Sequence, residues 1–572
     1  MKKIIIILAI IASAYSLKGQ TGQQGQIKRE VTLYNPYKPT VPEAVKKSFQ
    51  PDMTDTVKIK PEFRYEVSTY PFMPEYVISP LKPAALMPEA LPKLYRNYIN
   101  AGLGNYFTPL AELSLASERS KKGAIGVYAS HFSTNSKIQL QDLRKVYAGY
   151  MDNDVLLYGK KFFRKSLLDG SIDFSQRTRY AYGYDTAYTG YDPAKKEIKA
   201  NYYNIGANIG LRSTDLDSSS LSYNGNFKYY LFTSSNHYYQ QTVSLTAELE
   251  KMIKEFYAGL ALEASFFIPS DSIAPSSRYL VSLNPFVKKS RQEWNVKLGF
   301  KAVMDKGPDM EAKAHLYPDL KFGFNIIPDY LGFFASLTGD MQKNEPYTIV
   351  NINPYLLPGA TLYNIPNTNY SLVVKAGLKG ESGLDRPYEI SASYSLVDNF
   401  LLFSNYAVVD GALAIEHGNH FIPLTDQAEI LNVHGETGGR INDKFTFEGR
   451  ANYWKYTLTD NTSAWNMPDW DGSLRIKYNL RDKIIAVAGI GLTGPRDALV
   501  TTINNSTLPA TSTGSVVQIP AETKFNLMAE YRYTKILSFW ARMENIGFSR
   551  QFEWAYYPSQ KFLFLVGFSY SL

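Results

Sequence analysis

The 572-residue sequence contains no cysteine and only six histidines. Without cysteine the chain forms no disulfide, offers no thiolate ligand to a metal and carries no lipid-anchored N-terminal cysteine. The small number of histidines leaves few general bases for catalysis and few imidazole ligands for a metal ion. These absences exclude disulfide scaffolds, thiolate metal centres and N-terminal lipoproteins.

The sequence also lacks any later run of about 18 consecutive apolar residues, the length that a transmembrane helix requires. A shorter apolar run, Ile4 to Ala12, follows Lys2-Lys3 and precedes small and polar residues up to Gln20. A basic start, a short apolar segment and small residues near a cleavage point are typical of a secretory signal peptide. We therefore predict that residues 1–19 direct export from the cytoplasm.

Aromatic residues are abundant, with 44 tyrosines and 31 phenylalanines, although the mean hydropathy is slightly negative at −0.25. Strands with one apolar and one polar face produce this combination. The net charge of +8 is modest for this length, and the basic residues match no nucleic-acid-binding pattern. Paired tyrosines near predicted strand ends could stack against sugars, but they are expected to form a girdle between lipid and water. These pairs are Tyr202-Tyr203, Tyr229-Tyr230, Tyr238-Tyr239 and Tyr556-Tyr557.

Residues 20–96 differ from the rest of the chain because they hold 11 of its 30 prolines. Proline fixes φ and removes a backbone donor, so neither a helix nor a central strand is expected to run through this segment. We predict a proline-rich periplasmic arm. The lumen of the domain that follows is expected to be filled by inward polar side chains and the long loop 342–369, with this arm or a partner protein as the alternatives.

From Asn97 to Leu572 the dominant pattern is alternation, as in Val243, Leu245, Ala247 and Leu249, which are separated by polar residues. About 22 such segments, within a range of 18 to 24, predict an all-β fold, a transmembrane antiparallel β-barrel. A chain of secreted β-domains is the alternative, because a soluble strand can also have one apolar face.

The connections between these segments favour the barrel, because short turns at one end and long loops at the other are typical of outer-membrane barrels. Tight turns are predicted at 120–123, 164–166, 289–292, 328–329, 442–443, 481–482 and 534–535. Long loops are predicted at 134–151, 342–369, 407–420 and 495–519. An even number of strands places both ends of the barrel on the periplasmic side.

The last strand, KFLFLVGFSYSL, has a continuous apolar face. The last five residues of this apolar face are Phe564, Val566, Phe568, Tyr570 and Leu572. We expect this strand to pair with the first one, near Asn97 to Tyr106, and so to remove the open edges of the sheet. By analogy with other outer-membrane proteins, the same face is predicted to be the signal for the barrel-insertion machinery.

Roughly the last hundred residues resemble the barrel of TonB-dependent receptors of Bacteroidetes type. The resemblance rests on Met467-Pro468, Gly472 to Tyr478, Gly491 to Gly494, Leu537 to Ile546, Tyr557-Pro558 and the closing strand. It implies a receptor or transporter that binds or takes up a solute at the cell outer membrane. The implied partners are outer-membrane lipids, the coupling protein TonB and a surface lipoprotein.

The chain departs from that family at its N-terminus, because residues 20–96 are too short and irregular for the family's plug domain. Within them, Glu30-Val31-Thr32-Leu33-Tyr34 resembles a TonB box, the extended segment that adds a strand to the coupling protein. Without a recognisable plug, a stray β-prone pentapeptide is the alternative interpretation of this segment.

Catalytic motifs are absent from the sequence: there is no serine elbow, HExxH or paired catalytic signature beside the histidines. Glu416, His417 and His420 offer ligand atoms for zinc, but their spacing fits a hydrated loop better than a metal site. We therefore predict no enzyme activity, no metal and no cofactor. A structural or assembly subunit of an outer-membrane complex is the alternative function, and a barrel-embedded hydrolase is the least favoured.

Overall fold

A computed structural model describes residues 96–117, 120–184, 194–215, 220–235, 237–270, 277–308, 311–357, 359–383, 385–410, 414–504, 511–547 and 550–572. The predicted signal peptide, the proline-rich arm up to residue 95 and the Glu30–Tyr34 segment lie outside the described residues. Across the described ranges no helix combines the length and the apolar character needed to cross a membrane.

The first half of the described chain forms fifteen strands. They are β1 (Asn97–Gly104), β2 (Thr108–Ala116), β3 (Gly123–Thr134), β4 (Lys137–Gln139), β5 (Lys145–Tyr147), β6 (Tyr150–Phe162), β7 (Ser166–Tyr180), β8 (Lys199–Ser213), β9 (Ser222–Ser234), β10 (Tyr239–Ile253), β11 (Phe256–Pro269), β12 (Arg278–Ser290), β13 (Trp294–Lys306), β14 (Lys313–Ile327) and β15 (Leu331–Gln342). A short helix, α1 (Pro346–Ile352), and a 3-10 turn (Ala360–Tyr363) follow β15.

Thirteen further strands follow in the described residues. They are β16 (Thr368–Glu381), β17 (Pro387–Asp410), β18 (Ala414–Arg440), β19 (Phe445–Leu458), β20 (Trp470–Leu480), β21 (Ile484–Thr493), β22 (Arg496–Asn504), β23 (Thr511–Ile519), β24 (Glu522–Arg532), β25 (Leu537–Glu544), β26 (Phe552–Trp554), β27 (Tyr557–Pro558) and β28 (Leu563–Ser571).

The main sheet contains 24 strands and closes on itself. Within it β22 and β23 form a hairpin on the outer part of β17, and the other 22 strands complete an antiparallel barrel. Closure comes from β1 and β28, which pair from Tyr98 with Ser571 to Gly104 with Leu565. The predictions of about 22 strands and of pairing between the last strand and the first are both confirmed.

The outer wall of the barrel is apolar, as the alternation predicts. Leu245 is 52% exposed, Ile390 60% and Phe568 42%, while their polar neighbours along each strand face inward. Exposed apolar side chains around a closed barrel require a lipid environment, so this chain is an outer-membrane barrel. The terminal face Phe564–Leu572 lies on this outer wall, and its role as an insertion signal stays a prediction.

Short turns and long loops segregate to opposite ends of the barrel. The predicted turns join the strands at the end where Arg96 N donates to Leu572 O at 2.6 Å, so both ends of the barrel meet there. This end is periplasmic, because barrels of this class have short periplasmic turns.

Two predicted long loops are wrong, because most of 407–420 and 495–519 is strand. Strands β17 and β18 continue as a hairpin beyond the barrel wall, and β22 pairs with the outer part of β17 in parallel. Backbone pairing between segments that are distant in sequence keeps this region extended. Local amino-acid composition does not indicate such long-range pairing.

One tryptophan spans the seam between the two ends of the barrel on its inner wall. Trp540, on β25, packs over Gly567 on β28 and Gly102 on β1, and its Nε1 donates to Asn100 Oδ1 at 2.6 Å. Trp540 is 7% exposed, and a Cβ added at Gly102 would lie 2.5 Å from its ring. The two glycines therefore make room for a ring that ties three strands together.

Gly102→Val is expected to destabilise the barrel by about 1–3 kcal/mol, because the new side chain overlaps Trp540. The midpoint temperature for loss of the compact band in semi-native gel electrophoresis measures the effect. Gly489→Val is the matched control, since a Cβ at that inward-facing glycine meets no atom within 4 Å. Adding Trp540→Ala to Gly102→Val should restore part of the loss. Equal midpoints for the two valine variants would contradict the proposed role of Trp540.

Candidate functional site: a loop-closed lumen

The inner wall of the barrel is lined by charged side chains, many of which form ion pairs with a partner one or two strands away. The pairs include Arg177–Asp154, Arg179–Asp152, Lys288–Glu250, Lys297–Asp319, Lys301–Asp340 and Lys375–Glu389, with separations of 2.5 to 2.9 Å. Burying one partner alone would be costly, so pairing lets these charges face a confined space. The lumen is therefore polar and suited to water and hydrophilic solutes.

One extracellular loop, residues 343–367 between β15 and β16, crosses the lumen; we call it the crossing loop. On one side Tyr202 of β8 donates its hydroxyl to Leu356 O at 3.3 Å. On the other, Leu357 N donates to Phe421 O at 2.9 Å and Phe421 N to Tyr355 O at 3.0 Å, on β18. Strands β8 and β18 are ten positions apart in a ring of 22, so the loop spans almost a full diameter.

Arg278, at the start of β12, holds both ends of the crossing loop against the wall. Its Nη1 donates to Tyr363 O at 2.9 Å and to Ile365 O at 3.0 Å, and its Nη2 donates to Asn344 O at 3.3 Å. The arginine is 2% exposed. A buried guanidinium that serves three carbonyls is costly to leave unpaired, so it favours the docked loop strongly.

Other extracellular loops pack onto the crossing loop and form one apolar cluster, which we call the loop plug. Its buried members are Ile138, Leu140, Ala148, Tyr180, Ala181, Tyr182, Tyr184, Ile198, Ala200, Tyr202, Phe232, Ile349, Val350, Leu356, Leu362, Tyr363, Ile365, Phe403, Phe421 and Tyr557. At its centre the rings of Tyr355 and Tyr557 stack 3.9 Å apart, and Tyr182 meets Tyr557 edge-on at 4.9 Å. The plug is thus assembled from loops of one chain at the extracellular end of the lumen.

A cavity of about 1150 Å³ lies in the periplasmic half of the lumen, between β14 and β25. Its wall carries both acidic groups, such as Glu389 and Glu436, and basic groups, such as Arg450 and Arg542. A second cavity of about 810 Å³ adjoins Trp540 at the seam. These volumes suit a small hydrophilic solute or a bound segment of chain.

The expectation of an interfacial girdle is wrong for several of the paired tyrosines. Tyr202 and Tyr557 belong to the loop plug, Tyr556 packs against the β22–β23 hairpin, and Tyr230 faces inward with 4% exposure. In a strand, two adjacent tyrosines point to opposite sides of the wall, and some of the pairs lie in loops. Adjacency in sequence therefore does not show whether a tyrosine belongs to the interfacial girdle or to the loop plug.

Two of the three candidate metal ligands lie outside the side chains that the structure describes. The EHGNH stretch lies in the outer part of β18, where the side chains of Glu416 and His417 are outside the described set. Among the side chains that the structure describes, no three His, Asp or Glu residues are grouped to hold a metal ion.

No family model matches this chain, and no curated protein matches it. Several solved structures do match it. The FrpB iron transporter from Neisseria meningitidis aligns with a TM-score of 0.62 at 9% identity, over 84% of this chain and 82% of that chain. The pyoverdine outer-membrane receptor FpvA from Pseudomonas aeruginosa PAO1 aligns at 0.60 and 10% identity, over 84% and 79%. The ferric-catecholate import receptor Fiu from E. coli K12 aligns at 0.58 and 9%, over 84% and 82%.

This chain has the fold of a TonB-dependent receptor barrel. At such low identities the likeness concerns the fold, including the closed 22-strand barrel. The resemblance predicted from the C-terminal residues is therefore confirmed at the level of the receptor-type barrel.

Glu345, the residue before α1, is the titratable group that most directly reports docking of the crossing loop. It is 7% exposed, and burial raises its pKa to about 7, with Lys228 opposing the shift. A carboxyl with a raised pKa is buried in its neutral form at low pH.

Docking of the crossing loop should therefore be most stable below the ordinary pKa of a glutamate and weaken as the pH rises through about 7. Hydrogen exchange of amides in residues 346–352, corrected for intrinsic rates, should accelerate by roughly tenfold between pH 5.5 and 8. Glu345→Gln should remove most of this pH dependence. The same acceleration in Glu345→Gln would show that another group controls the loop.

Proposed function

We propose that this chain is an outer-membrane receptor that binds a solute and admits it through a lumen closed by the loop plug. The observation that carries the proposal is the crossing loop, which spans a polar lumen of 22 strands from Tyr202 to Phe421. A barrel built for free diffusion gains nothing from a clamped, apolar obstruction. A receptor benefits from such an obstruction, because it prevents leakage through the lumen until the solute is bound.

The iron and siderophore receptors that share this fold indicate the first solutes to test. The large cavity below the loop plug, which is lined by charged and apolar side chains, supports a cargo of this size. Because the proposed function is binding and transport, it requires no catalytic group and no cofactor of the protein.

We propose further that TonB energises this uptake through the Glu30–Tyr34 segment. The segment contains two β-branched residues, Val31 and Thr32, and the aromatic Tyr34, which favour the extended conformation that strand addition to a partner's sheet requires. The arm that carries it is not a recognisable plug domain. TonB would therefore act on a short tether attached next to β1.

Val31→Pro combined with Leu33→Pro should abolish energised uptake, because each proline removes a backbone donor that strand addition uses. Uptake of radiolabelled ferric siderophores by cells expressing the chain measures the effect. Val57→Pro with Ile59→Pro, in a second β-prone stretch of the same arm, is the matched control. Normal uptake by the Val31/Leu33 variant would contradict coupling, and no uptake above an empty-vector strain would contradict the receptor itself.

A second candidate function, a subunit of an envelope complex, is favoured by the extracellular sheet of β17, β18, β22 and β23. This sheet extends beyond the wall and is braced by Ser404, whose hydroxyl lies 2.9 Å from Thr501 Oγ1. It offers a surface on which a surface lipoprotein would dock. Stable co-purification of such a protein from native membranes would favour this function.

A further inference from the structure

A small cavity lies at the extracellular end of the closure between β1 and β28, and we call it the seam pocket. It is formed where the β1–β2 turn, the β4–β5 hairpin and the connection from β25 to β28 meet. Its volume is about 150 Å³, and it shares no lining residue with the two cavities of the lumen. This volume exceeds that of a single water molecule, so the seam pocket has room for a small ligand.

Three basic side chains line the seam pocket. Lys137 comes from the β4–β5 hairpin, and Arg550 and Lys561 come from the connection before β28. Within the described residues no carboxylate forms an ion pair with any of the three. Asp142, the one acidic residue of the hairpin, is bound by Arg144 instead. Cations around one small pocket repel one another when no counter-charge is present, so the seam pocket favours an anion.

A further lining residue, Ser559, supplies an unused hydrogen-bond donor. Its hydroxyl oxygen is buried and has no hydrogen-bond partner among the described residues. The backbone N of Ser559 donates to Gln551 O at 2.7 Å, which fixes the serine in the wall of the pocket. A buried polar group without a partner is costly, and a bound ligand or water is the usual way to satisfy it. Ser559 therefore indicates a ligand that accepts a hydrogen bond.

Other polar groups in the wall of the seam pocket are already satisfied by the protein. Gln560 Nε2 donates to Ser136 Oγ at 2.7 Å and to Thr134 Oγ1 at 3.3 Å. Pro558 O accepts a hydrogen bond from the Tyr182 hydroxyl at 2.9 Å. These bonds hold the wall in place, and they leave the three cations and the serine hydroxyl available to a ligand. A pocket with a fixed wall loses little conformational entropy when it binds.

We propose that the seam pocket binds the phosphate group of a water-soluble solute. A tetrahedral oxyanion presents acceptor oxygens in several directions at once, which suits donors that come from separate segments of the chain. The planar guanidinium of Arg550 offers two parallel donors, Lys137 and Lys561 neutralise the remaining charge, and the Ser559 hydroxyl donates a hydrogen bond. A carboxylate has only two oxygens in one plane and leaves some of these donors unused. The seam pocket lies apart from the lumen cavities, so phosphate binding there is independent of the uptake proposed above.

Isothermal titration calorimetry of the full-length protein in a neutral detergent, at neutral pH and fixed ionic strength, tests this site. The probes are inorganic phosphate, glycerol phosphate, acetate and phosphatidic acid. Wild-type protein should bind the two water-soluble phosphates roughly tenfold more tightly than acetate. Lys137→Gln with Lys561→Gln should weaken phosphate binding roughly tenfold, because two charge-assisted contacts are lost. Ser559→Ala should weaken it roughly threefold, as expected for one hydrogen bond from a neutral donor.

The matched control is Lys306→Gln with Lys313→Gln, which removes the same charge at the extracellular ends of β13 and β14. It should bind phosphate like wild type, and a compact band on semi-native gels verifies folding of every variant. Unchanged phosphate affinity in the Lys137/Lys561 variant would overturn the proposal. An equal loss in the control variant would also overturn it, because the effect would then come from general surface charge. So would binding of phosphatidic acid without binding of either water-soluble phosphate, since the ligand would then be a membrane lipid.

Discussion

The structure depends on the hydrogen-bonded closure between β1 and β28. Inside a membrane no water is available for an unpaired strand edge, so a sheet of this length persists only as a closed ring. The register from Tyr98–Ser571 to Gly104–Leu565 achieves closure, and Trp540 reinforces it from inside by covering Gly102 and Gly567. Everything else follows from a ring of 22 strands. The outer wall must be apolar, and the enclosed lumen is wide enough to leak unless something fills it.

The chain fills the extracellular end of its lumen with its own loops. Arg278 ties the crossing loop to β12 through backbone carbonyls, and Tyr202 and Phe421 fix it to opposite walls. The remaining loops add tyrosines whose rings stack against it. Below this apolar layer the wall carries paired charges and encloses a large cavity lined by charged and apolar side chains. An apolar layer at the extracellular end, with a water-accessible cavity on its periplasmic side, fits the receptor function proposed for this chain.

Most of the barrel could be predicted from the sequence, because its periodicity is local. The outward face of the last strand, the tight turns such as Asn442-Asp443 and the strand number all depend on alternation and turn chemistry, which a single segment displays. The hairpin of β17 and β18 was missed because its continuation beyond the wall depends on pairing with β22.

The sequence predicts that the long loop 342–369 fills the lumen, but the side-chain contacts that build the loop plug could not be predicted from the sequence. Tyr202 and Tyr203 are neighbours with the same chemistry, yet one packs in the plug and the other faces outward. Arg278 carries no motif, and its role exists only because residues 344, 363 and 365 return to it from more than sixty positions away. Loop convergence is a property of the tertiary structure. The Glu30–Tyr34 segment stays a prediction, since it lies outside the described residues.

The central claim is that the crossing loop closes the lumen, and single-channel conductance in a planar bilayer tests it most directly. Purified wild-type protein should show no stable large conductance. A variant in which residues 346–363 are replaced by a short glycine-serine linker, with Arg278→Met to avoid an unpaired guanidinium, should open a large and steady channel. A compact band on semi-native gels must accompany both measurements. A stable large conductance from wild type, or a variant that is folded and still closed, would contradict the account.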